Sequence, residues 1–142
     1  MPLVEAGWRV CRLFVASWRM QDHRKLDVWA RAHAHCIAVR RATRAFPRRG
    51  YAALESQTVR AAESVLFNII EGCGTRTAKD FAKFLDTSIK SSKELEGQLE
   101  IARDYGVLKP LQWHSLAAET VEIRRMTCGL RAKVLRKPPP PG

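Results

Sequence analysis

The chain lacks the features that mark membrane, metal-binding and disulfide-linked proteins. It has no run of about 18 uncharged apolar residues, so we expect no transmembrane helix and no membrane partner. Its four cysteines, Cys11, Cys36, Cys73 and Cys128, are far apart. Neither they nor the four histidines have the spacing of a zinc site. We therefore expect reduced thiols in a cytoplasmic protein, with no metal ion and no cofactor.

Catalytic motifs are also missing. The segment Gly72-Cys73-Gly74 has no lysine in the position that a phosphate-binding loop requires, and no general base stands beside Cys73. A di-iron centre would need Glu-x-x-His motifs, and none occurs. His33 and His35 lie two residues apart, so we expect one on the surface and one packed inside. We predict no catalytic residues and a protein that is not an enzyme.

Acidic residues are scarce relative to basic ones. The chain has 14 acidic and 25 basic residues, a net charge of +11 and a pI of about 10.2. Residues 24–49 carry eight basic residues and one acidic residue, and residues 107–142 carry seven and two, whereas residues 50–106 are slightly acidic. Such an excess favours a polyanionic partner, most often nucleic acid. The alternative is that these charges only keep helix faces solvated.

Apolar residues recur every three or four positions, which predicts four helices. The first should end before Pro47 and Gly50, the third should be capped by Thr77, and the fourth should begin at Pro110. The predicted helices are about 25–46, 51–72, 77–105 and 110 to just before Pro138. Because the loops between them are short, we predict an all-α, up-down-up-down antiparallel four-helix bundle over residues 24–137.

The two ends of the chain do not fit this bundle. Residues 1–23 form an N-terminal extension in which Trp8, Cys11, Val15 and Trp18 have helical spacing. Residues 1–19 would be either an interfacial amphipathic helix or, as we prefer, a stretch upstream of a natural start at Met20. Residues 138–142 form a proline-rich tail that we expect to be disordered.

Polar residues interrupt the apolar stripes of the second and third helices. Asn68, Glu71, Glu94 and Gln98 are predicted to form a buried or interfacial polar layer. Buried amides and carboxylates tend to fix helix register and support subunit contacts, which we prefer here to a binding or catalytic role. Trp29 and Trp113 are interpreted as core or interface anchors.

Basic residues concentrate on the first and last helices, which are neighbours in the predicted topology. They would form one stripe roughly 35–40 Å long, at 1.5 Å per residue, suited to an extended polyanion. Contacts to phosphates would be largely independent of base sequence. The predicted nucleic-acid-binding residues are Arg40, Arg41, Arg44, Arg48, Arg49, Arg124, Arg125 and Arg131.

An ordered series of residues between about 24 and 108 matches a known family. In the first helix the matching residues are Lys25-Leu26, Val28-Trp29, Ala32, Thr43 and Phe46-Pro47. In the second and third they include Leu54, Ser56-Gln57, Arg60-Ala61-Ala62, Asn68-Ile69, Glu71-Gly72, Phe81, Phe84-Leu85, Ser88, Glu94-Leu95-Glu96 and Gln98-Leu99. On these residues the chain resembles the four-helix-bundle proteins of the 23S ribosomal RNA intervening-sequence type, which are related to accessory proteins of diversity-generating retroelements.

The resemblance implies a ring-shaped homopentamer and no particular reaction. The retroelement relatives are basic pentamers that bind nucleic acid and a reverse transcriptase, so these are the partners that the resemblance implies. Our leading hypothesis is a non-enzymatic, oligomeric protein that binds RNA or DNA. The alternative is a scaffold for an acidic protein, with incidental nucleic-acid contact. Leu66 replaces a common proline, which predicts a straighter second helix, and His35 occupies a usually apolar position.

Overall fold

A computed structural model describes residues 21–136, in which helices joined by short loops are the regular secondary structure and no strand occurs. A short 3-10 turn, His23–Lys25, precedes four long helices. They are α1 (Asp27–Arg44), α2 (Arg48–Cys73), α3 (Ala78–Asp104) and α4 (Pro110–Leu135). Each helix packs on the next and α4 packs back on α1, which confirms the predicted four-helix bundle. The predictions for the N-terminal extension before residue 21 and for the proline-rich tail lie outside the described residues.

A side-chain cap, a proline and a glycine fix the start of α3, the start of α4 and the end of α3 where the sequence predicts them. The Thr77 hydroxyl accepts a hydrogen bond of 3.1 Å from the Asp80 amide, and α3 starts at the next residue. Pro110 is the first residue of α4, where its missing N–H group is not needed. Gly106 follows α3 with a φ of 78°, a left-handed conformation that glycine adopts without strain.

The corner between α1 and α2 begins two residues earlier than predicted. Helix α1 ends at Arg44 instead of near Phe46, because Pro47 disfavours helical geometry in the residue before it. Arg49 and Gly50 have non-helical backbone angles, with a φ of 91° at Gly50, so regular helix begins at Tyr51 as predicted. From there α2 is unbroken through Leu66.

The core consists of two apolar clusters at different heights in the bundle. One is built around Val28, Ile69, Phe81, Leu85 and Ile123. The other is built around Val39, Phe46, Leu95, Leu99 and Leu116. A buried Phe or Leu side chain contributes about 1.5–3 kcal/mol by leaving water, so these clusters supply most of the stabilisation of the bundle.

A buried polar layer separates the two clusters. His35 Nε2 lies 2.8 Å from the Thr120 hydroxyl, which in turn donates to the Leu116 carbonyl at 2.8 Å. The Ser88 hydroxyl donates to the Val65 carbonyl at 2.8 Å, joining α3 to α2. Because these polar groups have partners, they cost little to bury and fix the relative height of the helices. As predicted for the histidine pair, His33 is exposed and His35 is packed inside.

Glycine allows a close contact at the turn between α2 and α3. A Cβ atom on Gly72 would lie 3.2 Å from Cδ1 of Phe81, tighter than ordinary van der Waals contact.

The neighbouring Cys73 is buried, and burial raises the pKa of its thiol to about 12. Cys73 is therefore an inert packing residue and not a nucleophile.

Candidate functional site

Five arginines form a group at the end of α1 and the corner that follows. We call Arg40, Arg41, Arg44, Arg48 and Arg49 the helix-one arginine cluster. All five are exposed. Within residues 21–136, none of them forms an ion pair with a carboxylate. Their guanidinium groups therefore keep their hydrogen-bond donors available for an external anion.

Three of these arginines border a groove between α1 and α2. Its lining residues are Cys36, Ile37, Arg40, Arg41, Arg44, Val59, Glu63 and Phe67. The apolar part is open to solvent, since Ile37 is 43% exposed and Phe67 is 49% exposed. Toward the α1–α2 corner, Arg48 and Glu55 line an adjoining depression. The result is an apolar wall with guanidinium groups on the α1 side and carboxylates on the α2 side.

The arginines of α4 are engaged differently. Arg124 Nη1 lies 2.7 Å from Glu96 Oε2, and both side chains are largely buried. Arg131 donates through Nε and Nη2 to the two carboxylate oxygens of Asp86. Both carboxylates lie on α3. Arg125 is more exposed and pairs within α4 with Glu122 at 3.6 Å. The positive charge of this helix is therefore locally compensated.

The eight predicted arginines consequently differ in their surroundings. The helix-one arginine cluster lies on the side of the bundle where α1 meets α2, whereas Arg124 and Arg131 reach toward α3. Between α1 and α4 the structure instead has Arg31, which donates two hydrogen bonds of 2.8 and 2.7 Å to Glu119. The hydrogen bond from Arg31 lowers the pKa of the Glu119 carboxyl, which stays ionised. These contacts do not support a continuous stripe along the first and last helices, which stays a prediction.

The four residues of the predicted polar layer are also separated. Asn68 donates to the Ser64 carbonyl at 2.8 Å, and Gln98 donates to Glu94 at 3.2 Å. Glu71 and Glu94 are exposed, so within one chain these four residues do not make the buried layer. The observed layer uses His35, Thr120 and Ser88 instead. The interfacial alternative for the four residues stays a prediction.

Aromatic residues gather at the pole where α2 and α4 begin. The Arg103 guanidinium lies 4.1 Å from the centroid of the Trp113 ring, and Tyr51 meets Tyr105 edge-on at 6.2 Å. Trp113 packs against one apolar cluster and Trp29 against the other, as predicted for anchor residues. Phe67 is the aromatic residue that sequence reasoning overlooked. The one signal in the sequence is that Phe67 lies off the apolar stripe of α2, where a large aromatic side chain is expected to be exposed.

Other kinds of site find no support in the part of the chain that the structure describes. No group of three or more His, Cys, Asp or Glu side chains in residues 21–136 could hold a metal ion. Cys36, Cys73 and Cys128 are free thiols. None of the described helices is long and apolar enough to cross a membrane.

A family model described as "23S rRNA-intervening sequence protein" matches residues 24–129. The matched range contains α1, α2, α3 and most of α4, so it extends beyond the residues on which the resemblance was first based. No match is found among the curated proteins.

Proposed function

The chain belongs to the 23S rRNA-intervening sequence protein family, and on this basis we propose that it is a non-enzymatic, cytoplasmic protein that binds nucleic acid through the helix-one arginine cluster. One observation carries the proposal. The five arginines of the cluster are exposed and have no carboxylate partner within residues 21–136, whereas Arg124 and Arg131 are paired with α3.

The difference in pairing matters for phosphate binding. A guanidinium group presents a planar fork of donors that matches phosphate oxygens, and binding releases counterions from the nucleic acid. An arginine already bonded to a carboxylate would first have to leave that partner, which offsets much of the gain. The binding free energy should therefore come mainly from the helix-one arginine cluster, with less from Arg124 and Arg131.

We further propose that the chain assembles into a ring-shaped homopentamer. The family resemblance supports this assembly. Exposed apolar residues at the end of α3 and the start of α4, Ile101, Tyr105 and Leu111, supply area that a subunit contact would cover. A pentamer presents five copies of the arginine cluster, so individually weak phosphate contacts become avid. The proposal that a reverse transcriptase is a protein partner rests on the resemblance alone.

A matched pair of variants tests the proposed function. In one, Arg40, Arg41 and Arg44 are changed to Gln. In the other, the exposed residues Arg76, Lys79 and Lys90 are changed to Gln, which removes the same charge from α3 and the turn before it. We expect the first variant to lose at least about tenfold in affinity for a labelled RNA or DNA at 0.15 M salt, and the second to change far less.

Equal losses in the two variants would mean that overall charge, not the cluster, holds the nucleic acid. Absence of binding by the unmodified protein would contradict the proposed function. In that case the cluster would be examined as a docking site for an acidic protein.

A further inference from the structure

The groove between α1 and α2 combines exposed apolar side chains with unpaired arginines. Phe67 and Ile37 line it and are nearly half exposed, and Arg40, Arg41 and Arg44 border it without carboxylate partners among residues 21–136. Exposed apolar area favours an occupant that brings a flat or apolar surface. Unpaired guanidinium groups favour an occupant that carries negative charge. The occupant should therefore have a flat or apolar surface and also carry negative charge.

Single-stranded nucleic acid meets this description better than a duplex does. In a single strand the base faces are free, so one base can stack on the Phe67 ring while neighbouring phosphates meet the arginines. In a duplex the bases are stacked on each other and cannot reach the ring without being unstacked. Arg40 and Arg44 stand one helical turn apart, about 6 Å along α1, so they can contact successive positions of an extended strand.

The carboxylates that line the groove favour nucleic acid over an acidic protein as its occupant. Glu63 lines the groove from the α2 side, and Glu55 lines the adjoining depression. An acidic helix lying in the groove would bring like charges close to these carboxylates, which is unfavourable. A base turned toward α2 would instead present amino donors, which carboxylates accept.

We propose that the α1–α2 groove is a binding site for single-stranded nucleic acid, in which Phe67 stacks with a base and Arg40, Arg41 and Arg44 contact the backbone phosphates. This inference rests on the proposed function and narrows its substrate class. Stacking and phosphate contact are separate contributions here, because they come from different helices and different side chains.

Substitutions at Phe67 test the stacking step. Binding of a labelled single-stranded 20-mer and of a duplex of the same length would be measured at one salt concentration, for the unmodified protein and for F67A, F67L and F67W. We expect the unmodified protein to prefer the single strand. F67A and F67L should lose at least about fivefold on the single strand but little on the duplex, and F67W should keep the preference. Leu135→Ala, which truncates an exposed apolar side chain at the end of α4 and outside the groove, is the control.

Two further measurements complete the test of the Phe67 variants: the salt dependence of binding and the particle mass. F67A should keep the slope of log affinity against log salt, since the phosphate contacts remain. Unchanged single-strand binding in F67A, equal losses on both probes, or full binding by F67L would overturn the stacking proposal while leaving the proposed function intact. A fall in particle mass in F67A would also overturn it and would assign Phe67 to a subunit contact. If the unmodified protein bound neither probe, the proposed function itself would fail.

Discussion

At the scale of single residues, the partner of each arginine decides what that arginine can do. Arg124 and Glu96 lie 28 positions apart in sequence and yet form a contact of 2.7 Å. Composition reveals that the chain is basic, but it does not reveal which charges are compensated across helices. The sequence therefore predicts the helix-one arginine cluster and the α4 arginines equally, and only the rotation of each helix about its axis distinguishes them.

His35 is the buried group with the clearest pH dependence. Burial lowers its pKa to about 4 from an ordinary value of 6.5, and the nearby Glu119 carboxylate opposes this shift only in part. The other polar group that contacts it is the Thr120 hydroxyl on α4, and Arg31 holds Glu119 through two hydrogen bonds. Neutral His35 is therefore the form that the folded bundle accepts.

We predict that the bundle loses stability as the pH falls from 7.5 to 5. Between pH 6.5 and 4 the unfolded chain binds a proton at residue 35 that the folded chain does not, so the free energy of unfolding decreases as pH decreases. The expected loss by pH 5 is about 2 kcal/mol. Urea unfolding at both pH values checks it. The variant His35→Leu should remove most of this dependence, and an equally steep dependence in that variant would contradict the assignment.

At the scale of helices and their connections, local signals were sufficient for most boundaries. Thr77 and Pro110 mark the starts of α3 and α4 because a side-chain cap and a missing N–H group act within one turn. The polar residues of α2 and α3 were harder to place. Glu71 and Glu94 lie beside the apolar stripes of their helices, and whether such residues are buried depends on how closely the neighbouring helices approach. The periodicity of the sequence does not give that distance.

Two glycine substitutions are expected to act in opposite directions. Gly50, at the corner between α1 and α2, has a φ of 91°, so Gly50→Ala should destabilise the bundle by about 1 kcal/mol or more although nothing lies within 4 Å of the added Cβ. Gly129, inside α4, also has open space around it. Gly129→Ala should stabilise the bundle by about 0.5–1 kcal/mol. Thermal unfolding of both variants checks the pair. A stabilising effect of Gly50→Ala would show that the corner is not held in this conformation.

At the scale of the whole molecule, the bundle has sides of different character. Where α3 meets α4, arginines and carboxylates are paired across helices. Where α1 meets α2, a positive cluster borders an open apolar groove. The bundle architecture and the helix-one part of the candidate site could be predicted from the periodicity and the loop lengths. The groove could not, because Phe67 and Ile37 come together only when α1 and α2 pack.

The most direct test of the central claim is a salt titration of nucleic-acid binding by the unmodified protein, with the particle mass measured by light scattering in the same buffers. If the helix-one arginine cluster contacts phosphates, log affinity should fall linearly with log salt, with a slope of about −0.7 for each phosphate contacted on a single strand. Three to five contacts per chain predict a slope of about −2 to −3.5, and a steeper one if several subunits bind one strand. A flat response, or no binding near 0.15 M salt, would contradict the account.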